Sequence, residues 1–193
     1  MRFRLAMLGV ALALGGCNFK GTPDPQLSAR DLEWMALVPK GEADPIYARY
    51  QVDDPTGEAP GTIVVETKER QLYLVLPGKK AMRYGVAVGN EAFGWTGTAR
   101  IARKSEWPSW NPPAEMKKRW PHVHAMDGGP MNPLGARALY LYEGNRDTLY
   151  RIHGTNEEEK IGHAVSSGCI RMRNMDVVDL FTRAEVGAKV IVR

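Results

Sequence analysis

His153-Gly154-Thr155 and Ser166-Ser167-Gly168-Cys169-Ile170-Arg171-Met172 are separated by ten residues, which sets an imidazole sixteen positions ahead of a thiol, each beside a glycine. A free thiol ionises near about 8.5, so little of it is thiolate at neutral pH. An imidazole within hydrogen-bond reach accepts the thiol proton, which makes Cys169 a candidate nucleophile and His153 its candidate base. The chain has two cysteines, and the other, Cys17, closes an N-terminal apolar run, which leaves Cys169 without a plausible disulfide partner. The bland alternative is a buried structural cysteine acting as a small hydrophobe. Gly154 and Gly168 lack a Cβ, so a substrate can approach main-chain N–H groups there and have an oxyanion stabilised; plain turn chemistry is the competing reading. Ser166 is open to orienting His153 or to satisfying its own turn, and Thr155 has the same two readings.

The elements that must carry these groups read as β. Thr62–Thr67 is β-branched and Gln71–Leu76 alternates, with Lys68-Glu69-Arg70 between them as a hairpin. Tyr84–Val88, Thr98–Arg103, Ala138–Tyr142, Leu149–His153, Cys169–Met172 and Lys189–Val192 are further strand candidates. Alternate side chains of a strand share a face, so Cys169 and Arg171 point one way while Ile170 and Met172 enter the core; His153 and Arg151 lie opposite Ile152. Helices are few. One is expected near Ser28–Val38 with Ser28 as cap, and one near Pro113–Arg119. A third starts at Asn174 as cap, with Val177, Val178, Phe181 and Ala184 facing the core. The fold class expected is mostly β with few short helices, a barrel or sandwich.

The segment from His153 to Met172 resembles the active-site signature of the L,D-transpeptidases (YkuD-type domains): His-Gly-Thr, about a dozen residues, then Ser-His-Gly-Cys and an Ile-Arg-Met-like tail. His153, Ser166, Gly168, Cys169 and Arg171 match position by position, and Ser167 stands where the family usually has a second histidine. The resemblance covers roughly Gly61 to Arg193. It implies a β-rich fold, catalysis by Cys169 and His153, and peptidoglycan stem peptides as substrate. Arg171 then reads as a clamp for a stem-peptide carboxylate, with a structural salt bridge as its competitor. Trp95, Trp107, Trp110 and Trp120 lie in a Pro-containing stretch that reads as a flap walling a cleft, or as packing onto the core.

Arg2 and Arg4 precede an apolar run from Leu5 to Leu14 that ends in Leu14-Gly15-Gly16-Cys17. Ten helical residues span roughly 15 Å, half a bilayer core, so the run reads as a signal peptide over 1–16 rather than a membrane span. Small residues before a cysteine also resemble a lipobox, with Cys17 lipidated; Asn18 favours the outer membrane. Residues 17–60, with six prolines, read as a mostly irregular tether with a reach of at most on the order of 130 Å. Residues 61–193 are the catalytic domain. Net charge is +4, of which Arg2 and Arg4 supply two, too little to suggest nucleic-acid binding. His122, His124 and His163 lack zinc-motif spacing, so neither a metal nor another cofactor is expected.

Three functions follow from these readings. The first is a periplasmic L,D-transpeptidase working through a Cys169 thioester, with a second stem peptide or an outer-membrane protein supplying the acceptor amine. The second is an L,D-carboxypeptidase or hydrolase that uses water instead. The third is a non-catalytic wall-binding lipoprotein that keeps the fold alone.

Overall fold

The computed structural model describes residues 20–89, 94–166 and 168–193. The signal segment 1–16, Cys17 and Ser167 lie outside the described residues. Twelve strands and three helices follow in chain order: β1 Lys20–Gly21, α1 Ala29–Met35, β2 Tyr50–Asp53, β3 Ile63–Glu66, β4 Gln71–Leu76, β5 Lys80–Gly85, β6 Val88–Gly89, β7 Gly97–Glu106, α2 Ala114–Arg119, β8 Arg137–Glu143, β9 Arg146–His153, β10 Ala164–Ser166, β11 Ile170–Arg171, α3 Asn174–Arg183 and β12 Lys189–Val192.

Ten strands form one sheet in the order β1-β2-β5-β4-β3-β12-β7-β8-β9-β11, and β10 pairs with β6 in a small second sheet. Most neighbours are antiparallel, but β12 runs parallel to β3 and β11 parallel to β9. Buried residues from β3, β4, β5, β7, β8, β9 and β12 meet in one cluster, so the sheet wraps a main core, and α3 plugs it with Val177 and Leu180, followed by Ala184 at its C-terminal cap. Removal of this apolar surface from water is the main stabilising term. Strands β4 and β12 fall where the alternation of their sequences places them. The expected strand Tyr84–Val88 resolves instead into β5 and β6, because Gly78 and Lys79, both with positive φ, turn the chain straight back from β4.

The α3 stripe differs from expectation in one position. Leu180 occupies the main core, whereas Phe181 is only partly buried and lies against Lys104 and Arg137. Val178 faces a second cluster with Trp107 and Ala136. Asn174 is not the cap; Arg173 holds that place without a side-chain cap, and the asparagine side chain is used elsewhere.

The tether reading of residues 17–60 is corrected for residues 20–53. β1 pairs with β2, and β2 extends the main sheet beside β5. α1 carries a full capping box between Ser28 and Asp31, and Leu27, Trp34, Met35 and Val38 cover the Trp107 cluster. Two buried ion pairs fasten the segment. Asp31 accepts two hydrogen bonds from Arg137 at 2.8 and 2.7 Å and one from Trp107 Nε1 at 2.8 Å, and Arg49 meets Asp176 at 3.4 Å. The segment reads as a tether in sequence because its prolines are visible and its anchoring partners are not.

Candidate active site

β9 delivers His153 and β11 follows directly from Cys169. In their parallel pairing Ile152 lies opposite Ile170 and His153 opposite Arg171. Cys169 therefore sits one step earlier, beside Arg151, on the same face as the imidazole. Ile170 and Met172 are buried on the other face as their alternation requires.

His153 is 4 % exposed. Its Nδ1 lies 2.6 Å from the Gly154 carbonyl; a carbonyl only accepts, so Nδ1 carries the proton and Nε2 is left as the basic nitrogen. Burial first, and then the Arg171 charge, push the imidazole down to about 3, against the pull of the Gly154 and Leu134 carbonyls. Burial pushes the Cys169 thiol up, opposed by the Arg151 N–H and by the charges of Arg151 and Arg171. Both partners are thus neutral at rest. No hydrogen bond joins them among the described residues; the thiol instead faces the Leu149 carbonyl, at 3.9 Å, and the Arg151 N–H. The contact expected from the spacing is a juxtaposition on neighbouring strands, not a formed thiolate–imidazolium pair.

The thiol opens on a cleft of about 600 Å³, walled by Pro108, Ser109, Trp110 and Asn111 on one side and by Tyr140, Leu149 and Arg151 on the other. Leu149 is 74 % exposed at a φ of 64°. Of the tryptophans, Trp110 lines this cleft, Trp107 is buried with its N–H on Asp31, Trp95 stacks on Tyr150 and Trp120 stays exposed. His122 and His124 lie exposed on the same flap.

Several proposed substrate or oxyanion roles are corrected. The Ser166 hydroxyl donates to the Cys169 carbonyl at 2.5 Å and accepts from Gly168 N–H at 3.2 Å, so it builds the cysteine turn and does not orient His153. That same bond occupies the Gly168 amide, and Gly168 is required by its φ of 119° and by its close approach to Gly89. Thr155 is buried, with its hydroxyl accepting from Glu157 N–H. A Cβ on Gly154 would meet Asn174 Oδ1 at 2.3 Å, so that glycine serves close packing. Arg171 is ion-paired with Glu157 at 2.8 Å rather than offered to the cleft.

Asn174 is the positioning residue that sequence reasoning missed. Its Oδ1 accepts from Ala136 N–H at 2.9 Å and its Nδ2 donates to the Thr155 carbonyl at 2.7 Å, which staples the loop after His153 to the start of β8. Its only sequence signal is an asparagine at a helix start, which reads as a cap.

A family model described as the L,D-transpeptidase catalytic domain matches residues 60–192. A probable L,D-transpeptidase, YbiS of Escherichia coli (strain K12), is 35 % identical over 138 residues, which is 66 % of this chain and 43 % of that protein. The chain therefore spans less than half the length of that relative. A crystal structure from Brucella melitensis, described as a probable carnitine operon oxidoreductase, is 48 % identical, with a TM-score of 0.54, over 78 % of this chain and 96 % of that one. An Enterococcus faecium L,D-transpeptidase shares the fold at a TM-score of 0.55, with 16 % identity, over 70 % of this chain and 50 % of that one. By the family model matching residues 60–192, more than half of its length, the chain belongs to the L,D-transpeptidase catalytic-domain family.

Proposed function

We propose that the chain is a cysteine-dependent L,D-transpeptidase acting on peptidoglycan stem peptides in the periplasm. The observation that carries this reading is the placement of Cys169 and His153 on one face of two neighbouring strands, with the thiol lining an open cleft and the imidazole buried behind it.

The thiol attacks the carbonyl carbon of the amide after the diamino acid of a tetrapeptide stem, and His153 Nε2 takes the thiol proton as the S–C bond forms. The C–N bond then breaks, and the leaving amine takes that proton from Nε2 and departs as D-alanine, which leaves a thioester on Cys169. An acceptor amine attacks the thioester carbonyl, the C–S bond breaks, and the amine proton returns through His153 to the sulfur. Because both groups rest neutral, proton transfer accompanies attack rather than preceding it. Buried His153, held in one tautomer by the Gly154 carbonyl, is suited to that role.

The acceptor amine is assigned to a second stem peptide or to an outer-membrane protein. Water in its place makes the enzyme an L,D-carboxypeptidase. Product analysis on a defined tetrapeptide decides between them: cross-linked dimer supports transfer, tripeptide alone supports hydrolysis, and equal product from Cys169→Ala removes both.

The Leu5–Leu14 run and Cys17 support export and a lipid anchor in the outer membrane. Since β1 begins at Lys20, only two residues separate Cys17 from the sheet, a reach of at most on the order of 10 Å, far below that of an undocked tether. The domain then works against the membrane face of the wall. Cys17→Ala is expected to leave the membrane fraction with its chemistry intact; retention after a high-salt wash contradicts the anchor.

A further inference from the structure

A row of side chains crosses the sheet to the nucleophile. Arg103 of β7 lies opposite Tyr140 of β8, and Tyr140 lies opposite Arg151 of β9. Cys169 adjoins Arg151 one step before the Ile152–Ile170 pair and completes the row. Arg103 owes its place to an irregularity: the β7–β8 register shifts between Ile101 and Arg103, which turns Arg103 onto Tyr140. Bulges of this kind re-aim side chains near functional sites.

The three arginines around the site differ in what they hold. Arg151 is bound to Asp147 by two hydrogen bonds of 2.7 and 2.8 Å, and Arg171 is bound to Glu157. Among the described residues Arg103 has no carboxylate within ion-pair distance. Its guanidinium lies 3.4 Å from the centroid of the Tyr140 ring, and Arg151 lies against the same ring at 4.5 Å. A guanidinium stacked on an aromatic face is held in one orientation with its N–H edge open, the edge that binds a carboxylate two-pronged. Arg103, Tyr140 and Arg151 all line the cleft with Cys169, and among the described residues no Asp or Glu lines it. The site therefore presents one preoriented guanidinium whose only nearby carboxylate, Asp147 among the described residues, is already hydrogen-bonded to Arg151.

Distance selects the carboxylate. Three inter-strand steps of about 4.8 Å put the Arg103 Cα about 14 Å from that of Cys169, and stacking on Tyr140 brings the guanidinium roughly one strand nearer. The anion must lie several bonds from the carbonyl under attack. The terminal carboxylate of the leaving residue, adjacent to the scissile amide, is too close. We infer that Arg103 determines donor specificity by binding a side-chain carboxylate of the acyl-donor peptide, on the far side of Tyr140 from the thiol. This rests on the acyl-transfer reading above.

The test measures steady-state kinetics of wild type, Arg103→Gln and Arg103→Lys on three donor tetrapeptides: one unmodified, one amidated at the side-chain carboxylate, one amidated at the C-terminus. Arg103 is exposed, so the variants are expected to melt with wild type. With the unmodified donor, Arg103→Gln should raise KM about 10- to 100-fold while kcat changes little, the range for a lost charge-assisted contact, with Arg103→Lys in between. With the side-chain-amidated donor, wild type should show the same rise and Arg103→Gln should add nothing to it. The C-terminally amidated donor should keep the full Arg103 effect. An unchanged KM for Arg103→Gln, or an effect that disappears only with the C-terminal amide, overturns the assignment while leaving acyl transfer standing. Absence of turnover by wild type on every donor overturns the acyl-transfer reading, and this assignment with it.

Discussion

Arg171 stands directly opposite His153 in the parallel pairing of β9 and β11, so a fixed positive charge adjoins the imidazole proposed as the base for Cys169. With burial, that charge holds the ring neutral down to about 3, while the Glu157 carboxylate keeps the arginine itself in place. A thiol raised by burial beside such a weak base does not ionise on its own.

The first expectation concerns thiol reactivity. Alkylation of Cys169 by iodoacetamide should be slow at pH 7 and climb only above the ordinary thiol range, with no step near pH 6.5. A rate that is already at its plateau at pH 7 indicates a preformed thiolate and contradicts the neutral resting pair.

Acid stability carries the signature of His153. The unfolded ring binds a proton below about pH 6.5 and the folded ring only near 3, so the unfolded state holds more protons in that window. Stability is complete above about pH 6.5 and falls as pH drops, by about 1.4 kcal/mol per pH unit, until the folded ring also titrates. Urea midpoints measured from pH 7 to pH 4 should fall less steeply in His153→Gln. Parallel slopes in the two proteins contradict a buried neutral imidazole.

The Asp31–Arg137 pair should prove essential to stability. Both side chains are buried and doubly hydrogen-bonded, so Asp31→Asn strands an arginine charge and costs about 3–5 kcal/mol. The double substitution Asp31→Leu, Arg137→Met should recover much of that. A loss under 1 kcal/mol in chemical denaturation means that residues 20–53 are not part of the cooperative unit.

Asn174→Ala leaves the Ala136 N–H and the Thr155 carbonyl without their partner, at about 1–3 kcal/mol for each group. Because those bonds hold the loop after His153, kcat should fall more than stability alone explains at temperatures where the variant is fully folded. Asn174→Asp, which keeps the acceptor for Ala136, should lie between the two. A folded Asn174→Ala with wild-type kcat removes the positioning role.

Local signals in the sequence reach as far as local physics does. Gln71–Leu76 and Lys189–Val192 are strands at their expected bounds, and the alternation around Cys169 gives the facing of Ile170 and Met172 correctly. The same reasoning sets His153 and Cys169 on strands that prove to be neighbours. What stays hidden is set by partners remote in sequence. Asp31 and Arg49 are held by residues more than a hundred positions away, so residues 20–53 resemble a tether. The exposure of Leu149 and the aim of Arg103 depend on register shifts that no residue pattern announces. Hydroxyls in turns are ambiguous for the same reason: whether Ser166 faces His153 or its own loop is decided by the path of the backbone.

The most direct test of acyl transfer is the intact mass of the protein during turnover of a disaccharide tetrapeptide. Quenched in acid, wild type should carry an adduct equal to the donor less its terminal D-alanine, and peptide mapping should put it on Cys169. The adduct should disappear when an acceptor amine is added, and Cys169→Ala should neither form it nor release D-alanine. Release of D-alanine by Cys169→Ala at the wild-type rate contradicts a mechanism through the Cys169 thioester.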